Sequence, residues 1–123
     1  MATWENIQHF KPEEFDSPDR SGSGLLMDEH FVSLLDQIRS KVKFALVITS
    51  GYRTQAHNRE VGGKSESAHC TGHAADIACL TSRQRYAVVK AALELGITRI
   101  GIGDTFVHLD VDHELPANCI WTY

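Results

Sequence analysis

The stretch Ser67-Ala68-His69-Cys70-Thr71-Gly72-His73-Ala74-Ala75-Asp76 sets a histidine and a carboxylate seven residues apart, with a glycine between them. A turn at Gly72 can fold both side chains back onto one point, because glycine accepts backbone angles closed to other residues. A second stretch, Phe106-Val107-His108-Leu109-Asp110, alternates apolar and polar residues as a strand does. Val107 and Leu109 would face a core, and His108 and Asp110 would share the other face. Two histidines and a carboxylate from two separated segments match the ligand chemistry of a catalytic zinc site. Such a site takes three protein ligands and leaves a fourth position for water. A lone histidine is ordinarily a solvated ring or a core ring with its bonds satisfied. Here two polar residues interrupt an apolar strand, and burying them unpaired is costly; a metal removes that cost.

Working outward, Lys64 to Ser67 reads as a loop leading into the motif, and Ala74 to Leu80 as a strand leaving it. Before the motif, Phe44-Ala45-Leu46-Val47-Ile48-Thr49 is a short apolar, β-branched run that predicts a buried strand ended by Ser50-Gly51-Tyr52. Thr54 can cap a short helix through Val61, closed by Gly62-Gly63. Phe31, Leu34, Leu35, Ile38 and Val42 fall at helical spacing, with Asp28 as the N-cap. Phe10 to Phe15 suggests a helical turn, and Asp16 to Gly24 a surface loop. After the motif, Thr81-Ser82 caps a helix with Tyr86, Val89, Leu93 and the alanines along its packed face, ended by Gly96. Ile97–Gly101 and Thr105–Val111 predict a hairpin turning at Gly103-Asp104. The expected fold is α+β, an antiparallel sheet of about four strands with helices on one face.

A chain of 123 residues, 42% hydrophobic and 23% charged, predicts one domain over residues 1–123 with a core of its own. The net charge of −4 and the absence of any Lys/Arg run argue against a nucleic-acid surface. Met1 to Asn6 shows no basic-then-apolar leader, and no stretch is long and apolar enough to span a membrane. Synthesis in a cytoplasm is expected, with access to any outside target by lysis or within a particle. Cys70, Cys79 and Cys119 are odd in number and lack Cys-x-x-Cys spacing, so they read as reduced thiols.

Ser67 to Asp76 fits the pattern Ser-x-His-x-x-Gly-x-Ala-x-Asp at all six defined positions, and so resembles the zinc D-Ala-D-Ala carboxypeptidases. That family includes the vancomycin-resistance dipeptidases and the phage L-Ala-D-Glu endopeptidases. Ser50-Gly51-Tyr52-Arg53 with His57-Asn58, Gly62-Gly63, the His108 strand and Trp121-Thr122-Tyr123 extend the likeness from about Phe15 to the end. The resemblance implies the D-Ala-D-Ala peptidase-like (hedgehog-like) fold, with one Zn2+ per chain on the sheet, held by His69, Asp76 and His108. It implies Arg53 as the group that stabilises a developing oxyanion, with a structural ion pair as the alternative. Ser67 and Tyr52 would bind substrate, although a turn-capping role suits Ser67 equally. Many relatives carry the catalytic carboxylate three positions before the last histidine, and here that position is Thr105. Asp110 and Asp104 remain as candidates. Asp110 would act as base or orient His108, and Asp104 would reach the site only if the hairpin turn curls over it. His73 reads as a bystander, His57 as a neighbour of the site and His113 as a rim residue.

The implied activity is zinc-dependent hydrolysis of peptidoglycan stem peptides, by a monomer, at a D-Ala-D-Ala terminus or an L-Ala-D-Glu bond. A phage lytic enzyme or a cell-wall recycling enzyme would both fit. The competing class is a non-catalytic module, stabilised by zinc, that binds cell-wall peptides or a protein partner.

Overall fold

The computed structural model describes residues 3–123; Met1 and Ala2, at the head of the N-terminal stretch read above, lie outside it. Five strands form one sheet: β1 (Ile48–Ser50), β2 (Ala74–Ala78), β3 (Arg99–Ile102), β4 (Phe106–Asp110) and β5 (Cys119–Thr122), in the order β1-β2-β4-β3-β5. Among the described residues three α-helices accompany it: α1 (Glu29–Val42), α2 (Gln55–Glu60) and α3 (Ser82–Glu94). The caps are where the sequence puts them. Asp28, Thr54 and Thr81 each accept a hydrogen bond from the backbone N–H three residues on.

The core lies between the sheet and helices α1 and α3. Phe31, Val32, Leu35 and Ile38 of α1 meet Val88, Ala91 and Ala92 of α3 and the inward residues Ala75, Ile77, Ile100, Val107 and Leu109. Alternation along β2 and β4 therefore leaves Asp76, His108 and Asp110 on the face away from the helices.

Four expectations need correction. The sheet is mixed, not purely antiparallel: β5 is a fifth strand, running parallel to β3. Residues 111–118 carry the chain around the end of β3 to reach that edge, a pairing no local pattern announces. The first strand is shorter than Phe44–Thr49, because residues 44–47 reach β2 only through the bond from Ala78 N–H to the Val47 carbonyl, and the register slips between Ile48 and Ser50. Helix α3 packs through Val88, Ala91 and Ala92, while Tyr86 and Leu93 are 69% and 48% exposed. Small side chains let that face approach α1 and β4 closely. The hairpin turn falls at Asp104-Thr105, not Gly103-Asp104, because the Gly103 N–H bonds to the Phe106 carbonyl. Asp16 to Gly24 is the expected surface loop, exposed from Pro18 to Gly22 and docked at its two ends. Asp16 accepts from the N–H groups of Gly22 and Gly24, and Ser17, Ser23 and Gly24 are buried.

Candidate metal centre

One row of residues crosses all five strands in register: Ser50, Asp76, His108, Gly101 and Trp121. Asp76 and His108 are direct cross-strand partners. His69 arrives from outside the sheet, on a 3-10 turn over Ala68–Thr71 capped by Ser67, whose Oγ accepts from the His69 N–H at 3.2 Å. Gly72 ends that turn at φ +79°. A side chain there would also meet the backbone of Leu26 and Met27, so both conformation and space require glycine. The turn brings His69 back over β2.

His69, Asp76 and His108 form the group of His, Cys, Asp and Glu side chains that can hold a metal ion among the described residues. His69 Nε2 is 3.2 Å from His108 Nδ1 and 3.3 Å from Asp76 Oδ1, and His108 Nδ1 is 2.9 Å from the same oxygen. Ligands at about 2.0–2.1 Å around a tetrahedral zinc are about 3.3 Å apart, so the triangle has the right size. The outer nitrogens decide the chemistry. His69 Nδ1 lies 2.8 Å from the Gly51 carbonyl oxygen, which can only accept, so Nδ1 carries the proton. His108 Nε2 donates to Asp110 Oδ2 at 2.7 Å. In the neutral rings, both inner nitrogens are then lone pairs facing a carboxylate oxygen. Three electron-rich atoms at this spacing, on rings 2% and 7% exposed, fit a cation at their centre.

The charges agree with that fit. Burial opposes ionisation of Asp76, but the hydrogen bonds of His108 and His69 outweigh it and hold the carboxyl well below its usual range. Burial likewise disfavours a charged His108, yet Asp110 and Asp76 outweigh it and shift the ring's pKa upward. The Asp110 carboxyl is raised by burial but lowered more by its bonds to His108 and Arg99, so it stays ionised.

Around the triad, Arg53 Nη2 is 3.7 Å from Asp76 Oδ2, and its other nitrogens donate to Ser50 Oγ and Asn58 Oδ1 at 3.3 and 3.2 Å. Asp110 lies behind His108, 2% exposed, with Oδ1 accepting from Arg99 Nε at 2.7 Å and from the Asp112 N–H at 3.2 Å. Its oxygens are thus occupied on the far side of the ring from the triad. Asp104 is exposed, and its carbonyl accepts from Arg85 of α3, on the helix side of the sheet. Tyr52 packs half-buried against the core. His57 faces Glu60, His73 bonds to Thr71, and His113 is exposed. The cysteines are free thiols.

Two site residues escaped the sequence reading. Trp121 lies with its ring centre 5.4 Å from that of His108, and Arg99 lies 5.1 Å over the same indole. Gly101 makes room for them, since a Cβ there would stand 2.6 Å from Trp121 Nε1. Sequence counting would have misplaced Arg99: a turn at Gly103-Asp104 sets it opposite His108, whereas the Gly103–Phe106 bond moves the turn to Asp104-Thr105 and sets Arg99 opposite Asp110.

No curated protein sequence matches the chain. The fold is similar to that of the L-Ala D-Glu endopeptidase ChiX of Serratia marcescens, with a TM-score of 0.55 and 21% identity over 72% of this chain and 83% of that one. At that identity the likeness speaks to the fold. Residues 8–110, which include the whole triad and the strands that carry it, match the peptidase M15 family. With most of its length and all three clustered side chains inside that match, the chain belongs to the peptidase M15 family.

Proposed function

We propose that the chain is a zinc-dependent metallopeptidase that hydrolyses peptidoglycan stem peptides, at a D-Ala-D-Ala terminus or an L-Ala-D-Glu bond, through a water activated at the triad. The observation that carries the reading is the triad itself, three inward lone pairs whose outer partners lock them in place. Membership of a peptidase family supports the hydrolysis, and the likeness to an L-Ala D-Glu endopeptidase supports the substrate class.

His69 Nε2, Asp76 Oδ1 and His108 Nδ1 would hold the zinc. When bound, zinc supplies Lewis acidity, lowering the pKa of a water from about 16 to about 7 and polarising a carbonyl. The chain's own residues do the rest. Gly51 and Asp110 keep the two rings in the tautomers that ligation needs. Arg53, tethered by Ser50 and Asn58, holds a guanidinium beside Asp76 where negative charge develops on a scissile carbonyl oxygen. Asp110 orients His108 with both its oxygens engaged, so the water's proton would pass to solvent and the leaving amine would take one from there. Ser67 caps the His69 turn. The protein would act as a monomer on cell-wall peptides.

One observation favours the second reading, a non-catalytic zinc-stabilised module that binds such peptides. Thr105 stands where relatives carry the catalytic carboxylate, and Asp104 is exposed, with no contact to the triad among the described residues. Incubating the zinc-loaded protein with purified stem peptides and weighing the products by mass spectrometry separates the two. Release of D-Ala, or cleavage between L-Ala and D-Glu, supports the peptidase. Zinc-dependent binding with no cleavage replaces it with the module.

A further inference from the structure

We propose that Arg99 is a positioning residue for the metal centre, acting on the His108 ring through two neighbours, Asp110 and Trp121. The inference rests on the metal reading of the triad.

Arg99 and Asp110 face each other across the β3–β4 hairpin. Arg99 Nε donates to Asp110 Oδ1 at 2.7 Å, and the other oxygen of that carboxylate accepts from His108 Nε2 at 2.7 Å. A carboxylate with one oxygen pinned has one orientation left for the second. The imidazole plane is fixed in turn, and with it the direction of the Nδ1 lone pair. The same guanidinium lies 5.1 Å over the Trp121 ring, whose centre is 5.4 Å from that of His108. A third contact, from Arg99 Nη1 to the Pro116 carbonyl at 2.6 Å, holds the chain between β4 and β5 against this assembly. A surface ion pair would need none of this. The side chains of Arg99 and Asp110 are 14% and 2% exposed, so the pair is enclosed, and each Arg99 contact meets a group that bears on one ring or on the strand beside it. The planar fork makes these contacts at once, and a lysine ammonium cannot.

The test is a double-mutant cycle read as zinc Kd, by competition with a chelator, on the full chain: wild type, Arg99→Lys, Asp110→Asn and the double variant. Arg99→Lys keeps the charge, so a change in Kd reports geometry. The expectation is about tenfold weaker zinc for Arg99→Lys, at the lower end of what an outer-shell partner costs. In the Asp110→Asn background the same substitution should cost less, because the route through Asp110 is cut and only the Trp121 contact remains. Thermal melting of the metal-free variants establishes that each is folded at the assay temperature. Should Arg99→Lys melt below it, Arg99→Gln enters the same cycle with the same expectations. An unchanged Kd in the Arg99 variant overturns the inference, as does an equal penalty in both backgrounds. A wild-type protein that takes up no zinc refutes the metal reading itself, and the inference falls with it.

Discussion

Asp110→Asn changes one oxygen to an NH2 group, and the contacts around it say which one. Arg99 Nε and the Asp112 N–H both donate to Oδ1, at 2.7 and 3.2 Å, so the remaining carbonyl oxygen of an asparagine must stay there. The new NH2 then points at His108 Nε2, which stands 2.7 Å from Oδ2 in the native chain. Two donors cannot face each other at that distance. His108 must give up its Nε2 proton and carry one on Nδ1 instead, toward Asp76 Oδ1 at 2.9 Å. The metal-facing lone pair disappears. Zinc can then bind only by forcing the ring into a tautomer that opposes the amide. Loss of an outer partner typically costs about tenfold to a hundredfold in metal affinity, and a reversed tautomer belongs at the upper end, about 2.7 kcal/mol. Chelator competition at neutral pH measures it, with near-UV circular dichroism of the metal-free variant as the check on folding. Asp104→Asn is the control, because Asp104 is exposed and only its backbone carbonyl is bonded, to Arg85, so its zinc Kd should match wild type. A wild-type Kd for Asp110→Asn would refute the tautomer argument. Loss of zinc in Asp104→Asn would show that the hairpin turn closes over the centre after all.

His108→Ala should abolish both zinc uptake and hydrolysis while the chain stays folded, since Val107 and Leu109 keep β4 in the core; a variant that binds zinc as tightly as wild type excludes His108 as a ligand. Arg53→Lys should keep zinc but lose turnover, by about 3–4 kcal/mol of transition-state stabilisation, and unchanged kinetics would reduce Arg53 to a tether for Asp76 and Asn58. Zinc affinity should fall with decreasing pH, because proton and metal compete for His108 Nδ1 and the metal-free ring has its pKa raised; affinity is full above that raised pKa and declines, by about tenfold per pH unit, below it. A Kd constant from pH 8 to pH 5 would contradict that competition. Gly101→Ala should lower thermal stability, because its methyl group would stand 2.6 Å from Trp121 Nε1 and 2.9 Å from Tyr123 Cε2, and crowding of this kind costs about 1–3 kcal/mol; an unchanged melting temperature would mean that the two rings are free to move aside.

The parts of this molecule that local periodicity encodes were legible. Alternation in Phe106–Asp110 placed Val107 and Leu109 in the core and His108 with Asp110 on the opposite face, as the structure has them. The capping residues Asp28, Thr54 and Thr81 announced three helices. What stayed hidden is non-local. Nothing near Cys119–Thr122 says that it pairs with β3, so Trp121 could not be placed beside His108. The buried face of α3 could not be chosen from its apolar residues alone, because Tyr86 and Leu93 are larger than the alanines that the sheet and α1 accept. Alternation sets Asp110 on the ligand's face, but its role depends on Arg99, which looks like an interruption in an apolar strand and meets Asp110 only because the turn falls at Asp104-Thr105.

The central claim is that His69, Asp76 and His108 together hold a single zinc ion. Crystals of the zinc-loaded protein, measured above and below the zinc absorption edge, test it directly. One anomalous peak per chain is expected, bonded to His69 Nε2, Asp76 Oδ1 and His108 Nδ1, with Asp110 still on His108 Nε2. A peak ligated by Cys70 or Cys79, or a fully loaded crystal in which one of the three side chains points away from the ion, would contradict it.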